Sequence, residues 1–215
     1  MIIIGAKGFA KEVLEVLHQL KQIESIAFYD DVNEIGETLY DCFPILKNEE
    51  QVKAFFERYG TQFTIGIGNP KYRYLMCKKF EEWGGNLVST ISPFSHIGHF
   101  GNLIETGSNV MTGTVITNDV SIGKGCLINL NCTIGHDTVV EGFVELCPGV
   151  HISGNCKIGA LSFIGTNATV LPNITIGKNV IIGAGALVTK DLPDNVLAMG
   201  SPAKVIRELP ETDFL

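Results

Sequence analysis

The sequence predicts two unlike parts: an N-terminal α/β domain of Rossmann-like βαβ order over residues 1–90, then a left-handed parallel β-helix of hexapeptide repeats over 91–190. A C-terminal tail, 191–215, is expected to pack on the end of the helix. Two observations carry this. Strand and helix signals alternate up to about residue 90, and beyond it an aliphatic residue recurs at every sixth position. The chain of 215 residues is long enough for one domain or two with a real core.

The first part reads in order. "MIII" is a short apolar strand, and "KEVLEVLHQL" carries a helical stripe at Val13, Leu14, Val16, Leu17 and Leu20. "SIAFY" is a second strand that ends in Asp30 and Asp31. "NEEQVKAFFERYG" opens on a favourable N-cap, Asn48, and stops at Gly60. "FTIGIG" is a third strand. The next helix has Asn69 as cap, Pro70 at its first position and Gly84 as its stop. "NLVSTI" is a fourth strand. This order implies a small parallel sheet with helices on both faces.

The second part is fixed by the repeat. Every sixth residue from 104 is aliphatic: Ile104, Val110, Ile116, Ile122, Ile128, Ile134, Val140, Leu146, Ile152, Ile158, Ile164, Val170, Ile176, Ile182, Val188. Four places after each stands mostly a small or β-branched residue, such as Ser108, Thr114, Cys126, Cys132 or Ala168. A strand needs period two and a helix 3.6, so period six fits neither. It fits short strands joined by tight corners, with three hexads closing a triangular coil and coils stacking at about 4.8 Å. The left hand comes from the known repeat class, not from the crossover rule, which favours the opposite hand.

Composition narrows the function classes. The net charge is −7, which argues against a nucleic-acid or anionic-membrane partner, since both need a basic patch. No apolar stretch approaches the ~20 residues of a membrane span, and "MIIIGAKG" lacks the basic leader of a signal peptide. The six cysteines have no metal-site spacing, so they are expected to be free thiols in a cytoplasmic protein with no metal.

Within the repeats, "NLNCTIGHDTVVEGFVEL" places His136 and Asp137 where neighbouring repeats carry "GKG" or "GTN". His136 lies two places after Ile134, near a corner of its coil; its column holds Asn118 and Gly154 in the coils on either side. On spacing it is either a solvated corner histidine or a general base, for which histidine titrates in the right range. His96, His99, His151 and His18 read as structural or solvated. In the first part, the turn Gly5, Lys7, Gly8, Phe9 opens a helix after a strand and offers N–H groups to a phosphate, with Lys7 adding charge. "GAKGFAKE" is not GxGxxG, so it does not call for NAD. Asp30 is placed to meet a ribose or base edge, or is a plain acidic loop residue.

Taken together, "IIIGAKGFAKEVLEVL", "FYDD", "IGIGNPKYR", the repeats with "GHD", "GALVTKDLP" and "GSPAKVI" resemble the bacterial hexapeptide-repeat sugar acetyltransferases. The resemblance covers nearly the whole chain and is narrowest to the sialic-acid O-acetyltransferase and nucleotide-amino-sugar N-acetyltransferase group. It implies a cytoplasmic homotrimer that uses acetyl-CoA, bound along the groove between adjacent helices, and no metal. The acceptor it implies is a UDP- or dTDP-linked 4-amino-deoxysugar held by the first domain, acetylated directly in a ternary complex. The alternatives are O-acetylation of sialic acid or another sugar hydroxyl, and a non-catalytic trimeric nucleotide-binding scaffold.

The resemblance makes His136 the base and Asp137 its orienting acid. Gly154, one coil beyond His136 in the same column, is read either as an oxyanion donor, its missing side chain leaving a backbone N–H near the reacting carbonyl, or as a glycine required by corner geometry. The resemblance implies nucleotide contacts at Asp31, Gly68, Asn69 and Arg73. For acetyl-CoA it implies the corner column of Thr166 and Ala184, with Lys204 and Arg207 near the phosphates. One departure stands out: where many relatives have a second histidine that contacts acetyl-CoA, this chain has Glu145. That carboxylate is expected to accept from pantetheine amides.

Overall fold

The computed structural model describes residues 1–211. The last four residues of the expected C-terminal tail lie outside the described residues. The first domain comprises β1 (Ile2–Ile4), α1 (Gly8–Gln19), β2 (Ala27–Tyr29), β3 (Thr38–Leu39), β4 (Phe43–Leu46), α2 (Glu49–Tyr59), β5 (Gln62–Ile65), α3 (Pro70–Glu82) and β6 (Asn86–Leu87). The sheet order is β3-β4-β2-β1-β5-β6, parallel except for the antiparallel β3–β4 pair. That pair lies in a stretch the sequence reading left without a strand.

Alternate residues of β1 point to opposite sides. Ile3 and Phe28 join Val13, Leu14 and Leu17 of α1 in one core. Ile2 and Ile4 join Phe56, Phe63 and Phe80 of the α2 and α3 side in the other. Asn48 and Asn69 cap α2 and α3 with their side chains, as their sequence positions led one to expect.

The expected fourth strand, "NLVSTI", is divided. Asn86–Leu87 pairs with Gln62–Phe63 in the first sheet, whereas Thr90–Ile91 pairs with Asn109–Val110 and starts the β-helix. From there the chain is a left-handed parallel β-helix of two-residue strands on three faces. The first face contains Thr90–Ile91, Asn109–Val110, Leu127–Ile128, Glu145–Leu146, Phe163–Ile164 and Ile181–Ile182. It is extended by Val196–Met199 and the antiparallel strand Lys204–Glu208. The second face runs from His96–Ile97 to Leu187–Val188, and the third from Leu103–Ile104 to Thr175–Ile176. Partners are 18 residues apart from coil to coil, as in Thr133↔His151, the register that period six demands.

The aliphatic column fills the axis: Val110, Ile116, Ile128, Ile134, Ile158 and Ile164 are all fully buried. Cys126, Cys132 and Cys156 occupy the small slot beside it. None of the six cysteines is in a disulfide. Burial pushes the thiols of Cys126 and Cys147 up to about 12, so they act as small apolar packing groups. Corners need a left-handed residue. Asn131, Asp137, Asn155, Asn167 and Asn173 supply it with φ of 56°, 58°, 56°, 57° and 62°. Phe143 and Leu161 also take this conformation, which bulky residues disfavour. Both are buried against the first domain, where the Phe143 ring meets Tyr74 edge-on at 5.2 Å.

The first domain sits on the first face of the β-helix. Val16 of α1 packs with Met111 and Leu127. Lys124 pairs with Glu81 of α3. Between them Arg73 is fully buried and crosses the junction. Among the described residues no helix is long and apolar enough to cross a membrane, and no group of three or more His, Cys, Asp or Glu side chains could hold a metal.

Candidate active site

A pocket of about 560 Å³ opens at the C-terminal ends of β1, β2 and β5. Parallel sheets place their loops there, which is where such sheets bind ligands. Its floor is two glycine turns in close approach. Gly5 has φ +96°, and a Cβ on it would stand 3.0 Å from the Gly66 carbonyl oxygen. The turn Gly5, Lys7, Gly8, Phe9 leads into α1, whose first turn holds no acidic residue and whose N-cap position, Lys7, makes no side-chain cap. Gly5 N–H donates to Tyr29 O and Ala6 N–H to Asp30, so the N–H groups of Lys7, Gly8 and Phe9 are the ones that suit a phosphate. Lys7 Nζ donates to Asn33 Oδ1 at 2.7 Å across the mouth.

The two aspartates after β2 have different fates. Asp31 is exposed in the pocket wall, and its Oδ2 accepts from Tyr29 Oη at 2.8 Å and Lys79 Nζ at 2.9 Å. Burial pushes its carboxyl up, but the hydrogen bonds from Lys79 and Tyr29 outweigh this and hold it below the usual range. Asp30, expected at a ribose or base, is turned inward and only 6% exposed. Its oxygens accept from the backbone N–H of Ala6 (3.2 Å), Val32 (3.3 Å) and Asn33 (2.9 Å), and from the Asn33 amide. It therefore braces the loop against the first glycine turn while also lining the pocket.

One further expectation changes at the third loop, that for Arg73. Gly68 lines the pocket, but Asn69 spends its side-chain oxygen on Lys71 N and Tyr72 N as the α3 cap. Arg73 is no nucleotide ligand. Its Nε donates to Gly125 O, its Nη1 to Ile65 O and Ile67 O, and its Nη2 to Asn109 Oδ1 and Cys126 O. All five N–H groups are thus used, and burial pushes the guanidinium down to about 10. Sequence reading missed Tyr29, Lys79, Asn33, Tyr72 and Met76. The Asn69 cap held a usable signal for Tyr72 and Met76, because residues four apart share a helix face.

Glu145 also departs from expectation. It is 6% exposed and stands behind Gly68: a Cβ on that glycine would be 2.9 Å from Glu145 Oε1. Burial pushes its carboxyl up and the nearby Arg73 charge opposes this. Thr166 and Ala184 are exposed at the corner between the first and second faces. Exposed Lys204 and Arg207 lie on the last strand, which reaches the same end of the helix, where Met199 covers Gly183.

The His136–Asp137 pair lies elsewhere. It sits at the corner between the second and third faces, after Thr133–Ile134 and before Val139–Val140. In a triangular coil that edge is opposite the first face, which the α/β domain covers. His136 Nδ1 is 2.7 Å from Asp137 Oδ2, and the two side chains are 68% and 61% exposed. With Nδ1 facing a carboxylate, the neutral ring carries its proton there and leaves the Nε2 lone pair open. The ring lies over Gly154, where a Cβ would be 2.7 Å from both Cε1 and Nε2. Gly154 therefore makes room for the imidazole. His151, by contrast, meets Thr133 Oγ1 at 2.9 Å on the second face.

Residues 1–80 match the family described as PglD N-terminal domain, and residues 155–190 match bacterial transferase hexapeptide (six repeats). The chain is similar to PerB from Caulobacter crescentus, solved with CoA and GDP-perosamine: 30% identity, 95% of each chain covered, TM-score 0.87. It is similar to the acetyltransferase domain of PglB from Neisseria gonorrhoeae, solved with acetyl coenzyme A: 30% identity, TM-score 0.86, covering 95% of this chain and 98% of that one. A galactoside O-acetyltransferase of Lactococcus lactis is 30% identical over 173 residues, 78% of this chain and 81% of the relative.

Proposed function

The chain belongs to the bacterial hexapeptide-repeat sugar acetyltransferases and is an acyltransferase; from that premise we propose that it transfers the acetyl group of acetyl-CoA to the amine of a nucleotide-linked amino sugar. The observation that carries this reading is the open Nε2 of His136, with Nδ1 held by Asp137 at 2.7 Å. The amine nitrogen attacks the thioester carbonyl carbon. A C–N bond forms, the C–S bond breaks, and the proton lost by the nitrogen passes to His136 Nε2 and on to the departing CoA thiolate. Asp137 fixes the tautomer and stabilises the imidazolium. Holding both substrates together supplies much of the rate.

The pocket at Gly5–Phe9 suits the nucleotide diphosphate. The PerB relative, solved with CoA and GDP-perosamine, supports an acceptor of this class. Thr166 and Ala184 are proposed to line the pantetheine path, with Lys204 and Arg207 at the CoA phosphates. A sugar held over the first face cannot reach His136 on the opposite edge of the same chain. The reading therefore includes a closed trimer in which one copy's His136 serves the next copy's pocket. The second face suits such an interface: its outward residues are His96, Val115, Thr133, His151, Thr169 and Leu187, with no Lys, Arg, Asp or Glu among them.

The test is acetyl transfer from acetyl-CoA, read by thiol release, with UDP-, dTDP- and GDP-linked 4-amino sugars beside sialic acid and a galactoside. Turnover of a nucleotide amino sugar above the others is expected. Turnover of sialic acid or the galactoside alone would replace this reading by O-acetylation.

A further inference from the structure

We propose that Glu145 recognises the amino group of the acceptor sugar, so that the site selects an amine over a hydroxyl. The proposal rests on the reading of the pocket as a nucleotide-amino-sugar site.

Three observations lead to it. The first is the order of the pocket's loops. The strands run β2-β1-β5 across the sheet, so the loop with Asp31, the turn of Gly5–Phe9 and the turn of Gly66–Gly68 lie side by side. Phosphates on the central turn leave the base on the Asp31 side and the sugar on the Gly68 side. The sugar then points at the first face of the β-helix, at the strand Glu145–Leu146.

The second is Glu145 itself. Its Oε2 is the one buried side-chain nitrogen or oxygen among the described residues that lacks a hydrogen-bond partner. Its Oε1 has only the weak donor Cys147 Sγ, at 3.8 Å. A buried carboxyl with an unused oxygen is unfavourable until a donor reaches it. Arg73 is not that donor, since its five N–H groups are committed to four carbonyls and Asn109. It contributes charge alone; burial pushes the Glu145 carboxyl up, and the Arg73 charge opposes this only in part.

The third is the wall between Glu145 and the pocket, which at this point is the Gly68 backbone alone. Gly68 lines the pocket and places no side chain between it and Glu145; a Cβ would come within 2.9 Å of Oε1 and 3.4 Å of Oε2. A donor that displaced the Gly68 turn would meet the carboxylate. A protonated amine brings a charge and several N–H donors, and the resulting bonds are charge-assisted. A hydroxyl brings one donor and no charge. To react, the ammonium first loses one proton to solvent; the free amine then attacks, and the second proton passes to His136 of a second copy and on to the CoA thiolate.

The experiment uses calorimetric titration of the full chain, unaltered and as E145Q, in the UDP and the GDP series. Each series has three probes: the free nucleotide, its 4-amino sugar and the matching 4-hydroxy sugar. Expected is a preference of about tenfold or more for the amino sugar in the unaltered protein, the order of one charge-assisted bond. E145Q should abolish that preference, keep the free-nucleotide affinity and raise KM for the amine by a similar factor with a smaller change in kcat. Because E145Q leaves the Arg73 charge uncompensated, free-nucleotide affinity doubles as the fold control, and the preference of the unaltered protein is a readout that needs no substitution. Equal affinity for amino and hydroxy sugars in the unaltered protein overturns the proposal alone, as does a preference that survives in E145Q. No binding of any nucleotide sugar by the unaltered protein overturns both the proposal and the reading beneath it.

Discussion

His136 Nδ1 and Asp137 Oδ2 are 2.7 Å apart although the residues are adjacent in sequence, because Asp137 takes the left-handed corner conformation, φ 58°, and turns its carboxylate back toward the ring. The same conformation is met by asparagine at 155 and 173 in the coils above, so Asp137→Asn fits the backbone and isolates the charge. His136→Ala is expected to lower kcat by about 10²–10⁴-fold, the range for losing a general base, and D137N by less. Neither should change the melting temperature much, since both side chains are mostly exposed. Steady-state thiol release and thermal melts check this. A near-normal kcat in H136A would return His136 to a solvated corner residue.

Gly154→Ala places a methyl 2.7 Å from the imidazole and displaces the ring. The expected outcome is a fall in kcat with little change in acetyl-CoA affinity, measured by titration. Unchanged kcat would show that the ring position over Gly154 is irrelevant.

Mixing tests the shared site. G8D adds an acid at a helix N-terminus, which the fold accepts, in a position where a Cβ meets nothing within 4 Å, yet it repels a diphosphate. H136A and G8D should each be nearly inactive. Co-expressed, they should regain a substantial share of activity, because an H136A pocket can meet the His136 of a G8D copy. Light scattering should give three times 23.3 kDa.

Arg73→Met removes the five hydrogen bonds at the domain junction and withdraws one donor each from Asn109 Oδ1 and four carbonyls, of which Cys126 O keeps the Asn109 N–H. A loss of about 3–5 kcal/mol is expected by chemical denaturation, the range for breaking a buried charged network. A loss below about 1 kcal/mol would mean the junction is held by apolar contacts alone.

Asp31→Asn should show a pH-dependent effect. The Asp31 carboxyl is held below its usual value of 3.8, so its contribution is present above that value and lost as pH falls through the lowered one. The ion pair is about one-third exposed, so the gap at pH 7 is expected to be under about 1 kcal/mol. Melts from pH 7 down to pH 2 should show the gap closing; a gap that persists at pH 2 would assign it to packing.

The sequence by itself determined the two-part fold and the place of the His136–Asp137 pair. Both are local readings: period six sets a coil, and position within the hexad sets a corner. Asp30, Arg73 and Glu145 needed the tertiary structure. Their roles depend on what the other part of the chain presents: Ala6 N–H to Asp30, the Asn109 amide to Arg73, and Gly68 to Glu145. A charged residue next to a binding turn looks the same in sequence whether it faces a ligand or braces the loop. Only packing decides, because burial makes an unpaired charge unfavourable and so commits Asp30 and Arg73 to the groups that happen to surround them. The opposition of the pocket and His136 across the prism is likewise a property of three faces closing, which no single repeat contains.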